Sequence, residues 1–166
     1  LGDVYKRQEM KKGQLTRMFG TPNGQYAVGY TKVFADDINN TTHKFTLDTK
    51  GETVVYIDKK EVFKTNGGKE TFDAQLPLGT YDVYVKCICG GNDWGYTLEC
   101  DTVEFESAAR VKGTDDVWMY IGTFVNDFEF PFDTASDMLH IVGEPATYWR
   151  LDAVSYTHLT LPTKLE

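Results

Sequence analysis

The chain reads as an all-β protein, an antiparallel β-sandwich or jelly roll followed by an irregular interdomain segment. Three observations predict this. Apolar and polar residues alternate with a period of two through several short runs, so each run has one face for a core and one for water. Corners separate those runs at Lys50-Gly51, Asn66-Gly67-Gly68, Pro77-Leu78-Gly79 and Gly90-Gly91, where glycine supplies the positive φ of tight turns. Aromatic residues make up 14% of the 166 positions, and with the many Thr and Val they suit a pleated surface rather than a disordered chain.

The elements follow in order. Tyr26 to Ala35 is a β-branched and aromatic strand, and Lys44 to Leu47 a short second one. Thr53 to Asp58 runs into Lys59-Lys60 and resumes as Glu61-Val62-Phe63, a tight hairpin with its lysines in solvent. Thr71 to Leu76 turns Phe72, Ala74 and Leu76 to one side. Tyr81 to Cys89 does the same with Tyr81, Val83, Val85, Cys87 and Cys89. After the Gly90-Gly91-Asn92-Asp93 turn, Trp94 to Glu106 is one long strand or a strand pair. Ser107 to Thr114 is rich in small residues, Val117 to Gly122 is strand-like again, and Asn126 to Met138 reads as a long ordered loop. No repeat, low-complexity stretch or membrane-length apolar run interrupts the pattern.

Charge and cysteine usage narrow the function classes. Seventeen Lys and Arg against 25 Asp and Glu leave a net charge of −8. That field repels phosphate backbones, so nucleic acid is not an expected partner. Three cysteines, Cys87, Cys89 and Cys100, are too few and too odd for a disulfide framework. Cys87 and Cys89 share a strand face, which fits half a metal site, but no second Cys or His pair stands at ligand spacing. Small buried strand residues are the better reading, with a mild lean toward a reducing compartment.

Catalytic signatures are absent. The residues contain no phosphate-cradling glycine loop, no metalloprotease helix motif and no nucleophile elbow. His43 and His140 stand apart in sequence. Asp115-Asp116 and Asp127, Glu129, Asp133 and Asp137 could pair for glycoside hydrolysis only at a suitable separation, and solvated loop acids are the plainer reading. Asp36-Asp37-Ile38-Asn39-Asn40 offers oxygen ligands without the spacing of a calcium loop, and a polar turn explains it. Asn40-Thr41-Thr42 matches a glycosylation sequon. No catalytic residue, metal or cofactor is therefore expected.

Aromatics carry more functional content. Trp94, Tyr96, Trp118, Tyr120, Tyr148 and Trp149 cluster in the second half. Sugar rings stack their C–H faces on flat side chains while neighbouring polar groups bind hydroxyls. The segment Gly91-Asn92-Asp93-Trp94-Gly95-Tyr96 sets that chemistry at a hairpin tip, making Asn92, Asp93, Trp94 and Tyr96 the candidate carbohydrate-binding residues. The alternative is that Trp94 and Tyr96 close one end of the core, the commoner use of such rings.

The stretch from Tyr26 to Leu98 resembles a β-sandwich accessory module of bacterial carbohydrate-active enzymes, similar to PA14-type and galactose-binding-like jelly rolls. The resemblance rests on Val54-Val55-Tyr56-Ile57-Asp58-Lys59-Lys60-Glu61-Val62, on Leu78-Gly79-Thr80-Tyr81-Asp82-Val83-Tyr84-Val85-Lys86, and on Gly91-Asn92-Asp93-Trp94-Gly95-Tyr96-Thr97-Leu98. Lys59 replaces the usual glycine after the aspartate, a departure that bears on the turn. The stretch Tyr148-Trp149-Arg150-Leu151-Asp152 also looks like the lead-in to the catalytic domain of unsaturated-uronate glycoside hydrolases. These resemblances imply a glycan ligand and a C-terminal catalytic domain of the same parent chain as partners.

Both ends of the chain resemble translated sequencing-library adapter. Asp3-Val4-Tyr5-Lys6-Arg7-Gln8 looks like a transposase mosaic end, and Val154 to Thr163 looks like its reverse complement read onward. Segments of that origin are set aside from fold reasoning. The expected organisation is an adapter-derived tail at 1–8, a sandwich at 9–106, a truncated interdomain segment at 107–153 and a second tail at 154–166. Such a fragment fits the cytoplasm and the periplasm equally. The expected function is a non-catalytic accessory module, carbohydrate-binding or scaffolding, from a polysaccharide-degrading glycoside hydrolase. The alternative is a structural or adhesive surface module with no enzyme attached.

Overall fold

Ten residues of alternating character, Tyr26–Ala35, form the strand on which the molecule is built (β1). The computed structural model describes residues 14–106 and 118–132 and the backbone of 150–151. Both tails, Asp115-Asp116, Asp133, Asp137, His140 and Tyr148-Trp149 lie outside the described residues. After β1 come β2 (Thr42–Lys50), β3 (Thr53–Ile57), β4 (Lys60–Thr65), β5 (Gly68–Gln75), β6 (Gly79–Ile88), β7 (Gly95–Glu99), β8 (Glu104–Glu106), β9 (Met119–Phe124) and β10 (Arg150–Leu151). A six-residue helix, α1 (Gln14–Phe19), precedes them.

The strands make two antiparallel sheets, as the alternation predicts. One is seven-stranded, in the order β10-β9-β1-β6-β3-β4, with β8 also on β1; the other is β5-β2-β7. Pairs β1–β8, β2–β7 and β3–β6 nest inside one another and alternate between sheets, the wrapping of a jelly roll. Trp94 to Glu106 resolves into a strand pair whose members sit in opposite sheets, β7 beside β2 and β8 beside β1.

Between the sheets lies a continuous apolar core. β1 contributes Ala27, Val33 and Ala35, β2 Phe45 and Leu47, β3 Val55 and Ile57, and β6 Val83, Val85 and Cys87. Phe72 is sandwiched between Phe45 and Phe63, at centroid distances of 5.3 and 4.7 Å with the ring planes nearly parallel. Burying each such ring is worth roughly 1.5–3 kcal/mol. Leu15 of α1 plugs one end of the same core, a contact that a helix too short for a clear period does not announce.

The hairpin between β3 and β4 keeps its two-residue turn despite the missing glycine. Asp58 and Lys59 both adopt positive φ, 47° and 73°, as primed hairpin turns require. The Asp58 carboxylate accepts the Asp82 backbone N–H at 3.0 Å, tying the turn to β6.

Residues 118–132, expected beyond the sandwich, are built into it. β9 pairs with Tyr26–Tyr30 while β8 pairs with Lys32–Phe34, so the two share one edge of β1. Trp118 and Tyr120 enter the core between the sheets. The following stretch, 125–132, crosses the outer face of the larger sheet, where Phe130 packs with Tyr26, Val28, Tyr30, Tyr84 and Ile121. Alternation predicts one wet face for this sheet, and the structure covers it because β1 is apolar on both sides: only Lys32 and Phe34 fall short of full burial. On that outer face Tyr30, Tyr84 and Tyr56 stand in register across β1, β6 and β3.

Candidate functional site

The hairpin tip predicted to meet sugar divides into two halves. Asn92 and Asp93 are exposed, and Asp93 holds a positive φ of 59° that aims the chain back inward. Trp94 follows at 1% exposure. Its indole N–H donates to the Gly20 carbonyl at 2.7 Å and its backbone N–H to the Thr16 hydroxyl at 3.1 Å. α1 and its C-terminal glycine thus form a socket for the indole. A ring held this way offers no face to a ligand, so Trp94 is a core residue. The socket lies more than seventy residues away in sequence, which is why the local pattern at 91–96 does not disclose it.

Tyr96 is also interior, at 2% exposure. Its ring meets Trp118 edge-on at 5.2 Å, and its hydroxyl points at Gly29, where an added Cβ would lie 2.0 Å from the oxygen. The Tyr96 hydroxyl makes no hydrogen bond of good geometry, and Tyr120 acts on it both through charge and as a hydrogen-bonding neighbour. Burial, and then Tyr120, push its pKa well above the ordinary tyrosine value. Of the four candidate residues, the structure leaves only Asn92 and Asp93 on the surface.

The other polar features gather at the opposite end, around the chain between β7 and β8. A groove of about 330 Å³ is lined by Thr42, Lys44, Thr46, Glu99, Cys100, Asp101 and Thr102. A second hollow of about 280 Å³ shares Asp101 and Thr102 and adds Asp36, Asp37, Asn40 and Glu104. Both are open and polar, and neither contains an aromatic ring. Asp37 accepts the Asn39 N–H at 2.9 Å and its carbonyl the Asn40 N–H at 3.1 Å, so this segment is a self-bonded turn. Among the described residues no three His, Cys, Asp or Glu side chains converge as a metal would require.

His43 is fully buried beside that groove. Nε2 lies 3.2 Å from the Leu76 carbonyl and Nδ1 2.7 Å from the Thr102 hydroxyl. A carbonyl can only accept, so Nε2–H donates to Leu76, and in the Nε2–H tautomer Nδ1 takes the Thr102 O–H. Cys100, 3.4 Å from the same hydroxyl, completes the chain. The histidine pins the β7–β8 connection to the end of β5. Asp127 and Glu129 are exposed.

The remaining cysteines are interior. The Thr49 and Thr53 hydroxyls lie 2.6 Å apart and share their protons among each other, the Gly95 and Gly51 carbonyls and the Cys87 sulfur. Burial lifts the Cys87 thiol to about 11, against those hydrogen bonds. Cys89 is equally enclosed, whereas Cys100 is half-buried. No helix among the described residues is long and apolar enough to cross a membrane. The chain matches no protein-family model, no curated protein and no solved structure.

Proposed function

We propose that this sandwich is a non-catalytic accessory module of a larger polysaccharide-degrading protein, and that it works by scaffolding. The observation that carries the reading is the commitment of Trp94: both its N–H groups are bonded to the chain's own α1 region and its ring is enclosed. The aromatic group best placed by sequence for sugar stacking therefore stabilises the fold. The buried histidine and two buried thiols are likewise held within the framework. The three ordered motifs that resemble carbohydrate-enzyme accessory modules supply the polysaccharide context.

Affinity electrophoresis through gels containing a panel of polysaccharides tests this, run beside turnover assays on uronide oligosaccharides. Scaffolding predicts unchanged mobility for the wild-type chain and for Asn92→Ala/Asp93→Ala, and no turnover. Retardation that the double substitution abolishes would restore the glycan-binding reading. Product release by the chain alone would overturn the non-catalytic one.

A further inference from the structure

We infer that the outer edge of β5 is a self-association site, at which two copies of this chain join by antiparallel pairing about a twofold axis through Thr71. β5 bonds β2 along one side and ends the three-stranded sheet on the other. Among the described residues no other strand pairs with it. Six of its eight residues are exposed.

The phase of the ladder fixes which groups face outward. Leu76 N–H donates to the Thr41 carbonyl at 2.7 Å, continuing the register in which Thr42 faces Gln75. Bonded and non-bonded pairs alternate along an antiparallel ladder. Ala74, Phe72, Glu70 and Gly68 therefore bond β2, while Lys69, Thr71, Asp73 and Gln75 turn N–H and C=O away from it. The same four side chains lie on the solvent face of the sheet, beside Asp48, Thr46, Lys44 and Thr42.

A second β5 can bond this edge only where outward residues meet outward residues. Placing Thr71 opposite itself sets Lys69 against Asp73 at both ends, and about six backbone hydrogen bonds close. Neighbouring registers put Lys69 or Asp73 opposite Thr71, and more distant ones set lysine on lysine or aspartate on aspartate, which repel. The Thr71 register alone pairs both charges. Signs then alternate across the joined sheet: Lys44 and Asp73 of one copy, then Lys69 and Asp48 of the other. Two other margins are blunted. β4 carries Lys60 and Lys64 and a bulge at Val62, since Val55 faces Phe63 while Tyr56 faces Glu61, and both devices discourage strand addition. β7 is five residues long and starts beside Trp94, which α1 holds. Pairing through β5 goes beyond the scaffolding role, because it sets two parent chains side by side.

Sedimentation velocity of the full chain over a concentration series tests the site, using charge exchange at exposed positions that leaves the core untouched. Wild type should show a monomer–dimer equilibrium. Lys69→Asp alone and Asp73→Lys alone set like charges against each other at both contacts, and each should weaken dimerisation at least ~10-fold. Mixing the two variants restores opposite charges at both contacts, so a heterodimer should form about as tightly as the wild-type dimer. The double variant Lys69→Asp/Asp73→Lys should recover the homodimer for the same reason. A wild type that stays monomeric up to ~1 mM, single variants that dimerise as tightly as wild type, or a mixture that stays monomeric would overturn the inference.

Discussion

Gly29 and Tyr96 provide a sharp test of how the two sheets close on each other. Gly29 lies in the middle of β1, paired with Val85 on one side and Tyr120 on the other, so its backbone has no room to withdraw. A Cβ placed there stands 2.0 Å from the Tyr96 hydroxyl oxygen, 3.0 Å from Tyr120 Cε1 and 3.2 Å from Trp118 Cε3. Against an optimal separation of ~3.5 Å, the first contact is short by about 1.5 Å. Gly29→Ala should therefore cost ~3 kcal/mol, the upper part of the overpacking range. Tyr96→Phe removes a buried hydroxyl that makes no hydrogen bond of good geometry, and its stability should stay within about 1 kcal/mol of wild type. The double variant should recover ~1–2 kcal/mol of the loss, less than all of it because the Tyr120 and Trp118 contacts remain. Urea denaturation followed by tryptophan fluorescence reads these as midpoint shifts at constant slope, about 1 M or more for Gly29→Ala. Strict additivity of the two substitutions, or a Gly29→Ala variant as stable as wild type, would refute the reasoning.

Two further outcomes follow from the turn and the thiols. Lys59→Gly should stabilise the protein by about 1 kcal/mol in the same assay, because a lysine held at φ 73° bears a left-handed penalty that glycine lacks. At pH 8 an aromatic disulfide reagent should modify Cys100 rapidly and Cys87 and Cys89 only after unfolding, counted by absorbance before and after denaturant. Cys87 is raised to about 11, so it favours the fold below the ordinary thiol range and withdraws that support as pH climbs toward 11.

The sheets were legible in sequence because alternation and glycine corners are local signals. β1 was readable to the residue, and β3, β4 and β6 to within one or two positions at most ends. What the pattern did not reveal depends on distant partners. Trp94 has the same neighbours whether it faces water or Gly20, and its socket on α1 lies far upstream. The length of β2, nine residues rather than four, is set by its pairing with β5, since Thr42, Lys44 and Thr46 show no apolarity of their own. Val117 to Gly122 was readable as a strand, but residues 126–132 read as part of a long loop because Phe128, Phe130 and Phe132 sit among acids and a proline, and their role appears only against the tyrosines of β1, β3 and β6.

The shared edge of β1 also determines where this protein can be cut. Ending the chain at 106, where composition shifts, would strip β9 from Tyr26–Tyr30 and leave five backbone positions unpaired beside a bared aromatic surface. An open, flat, apolar margin of that kind is a template on which other molecules add by strand pairing. A shortened version would polymerise, and an expression boundary placed beyond 132 would spare it that fate.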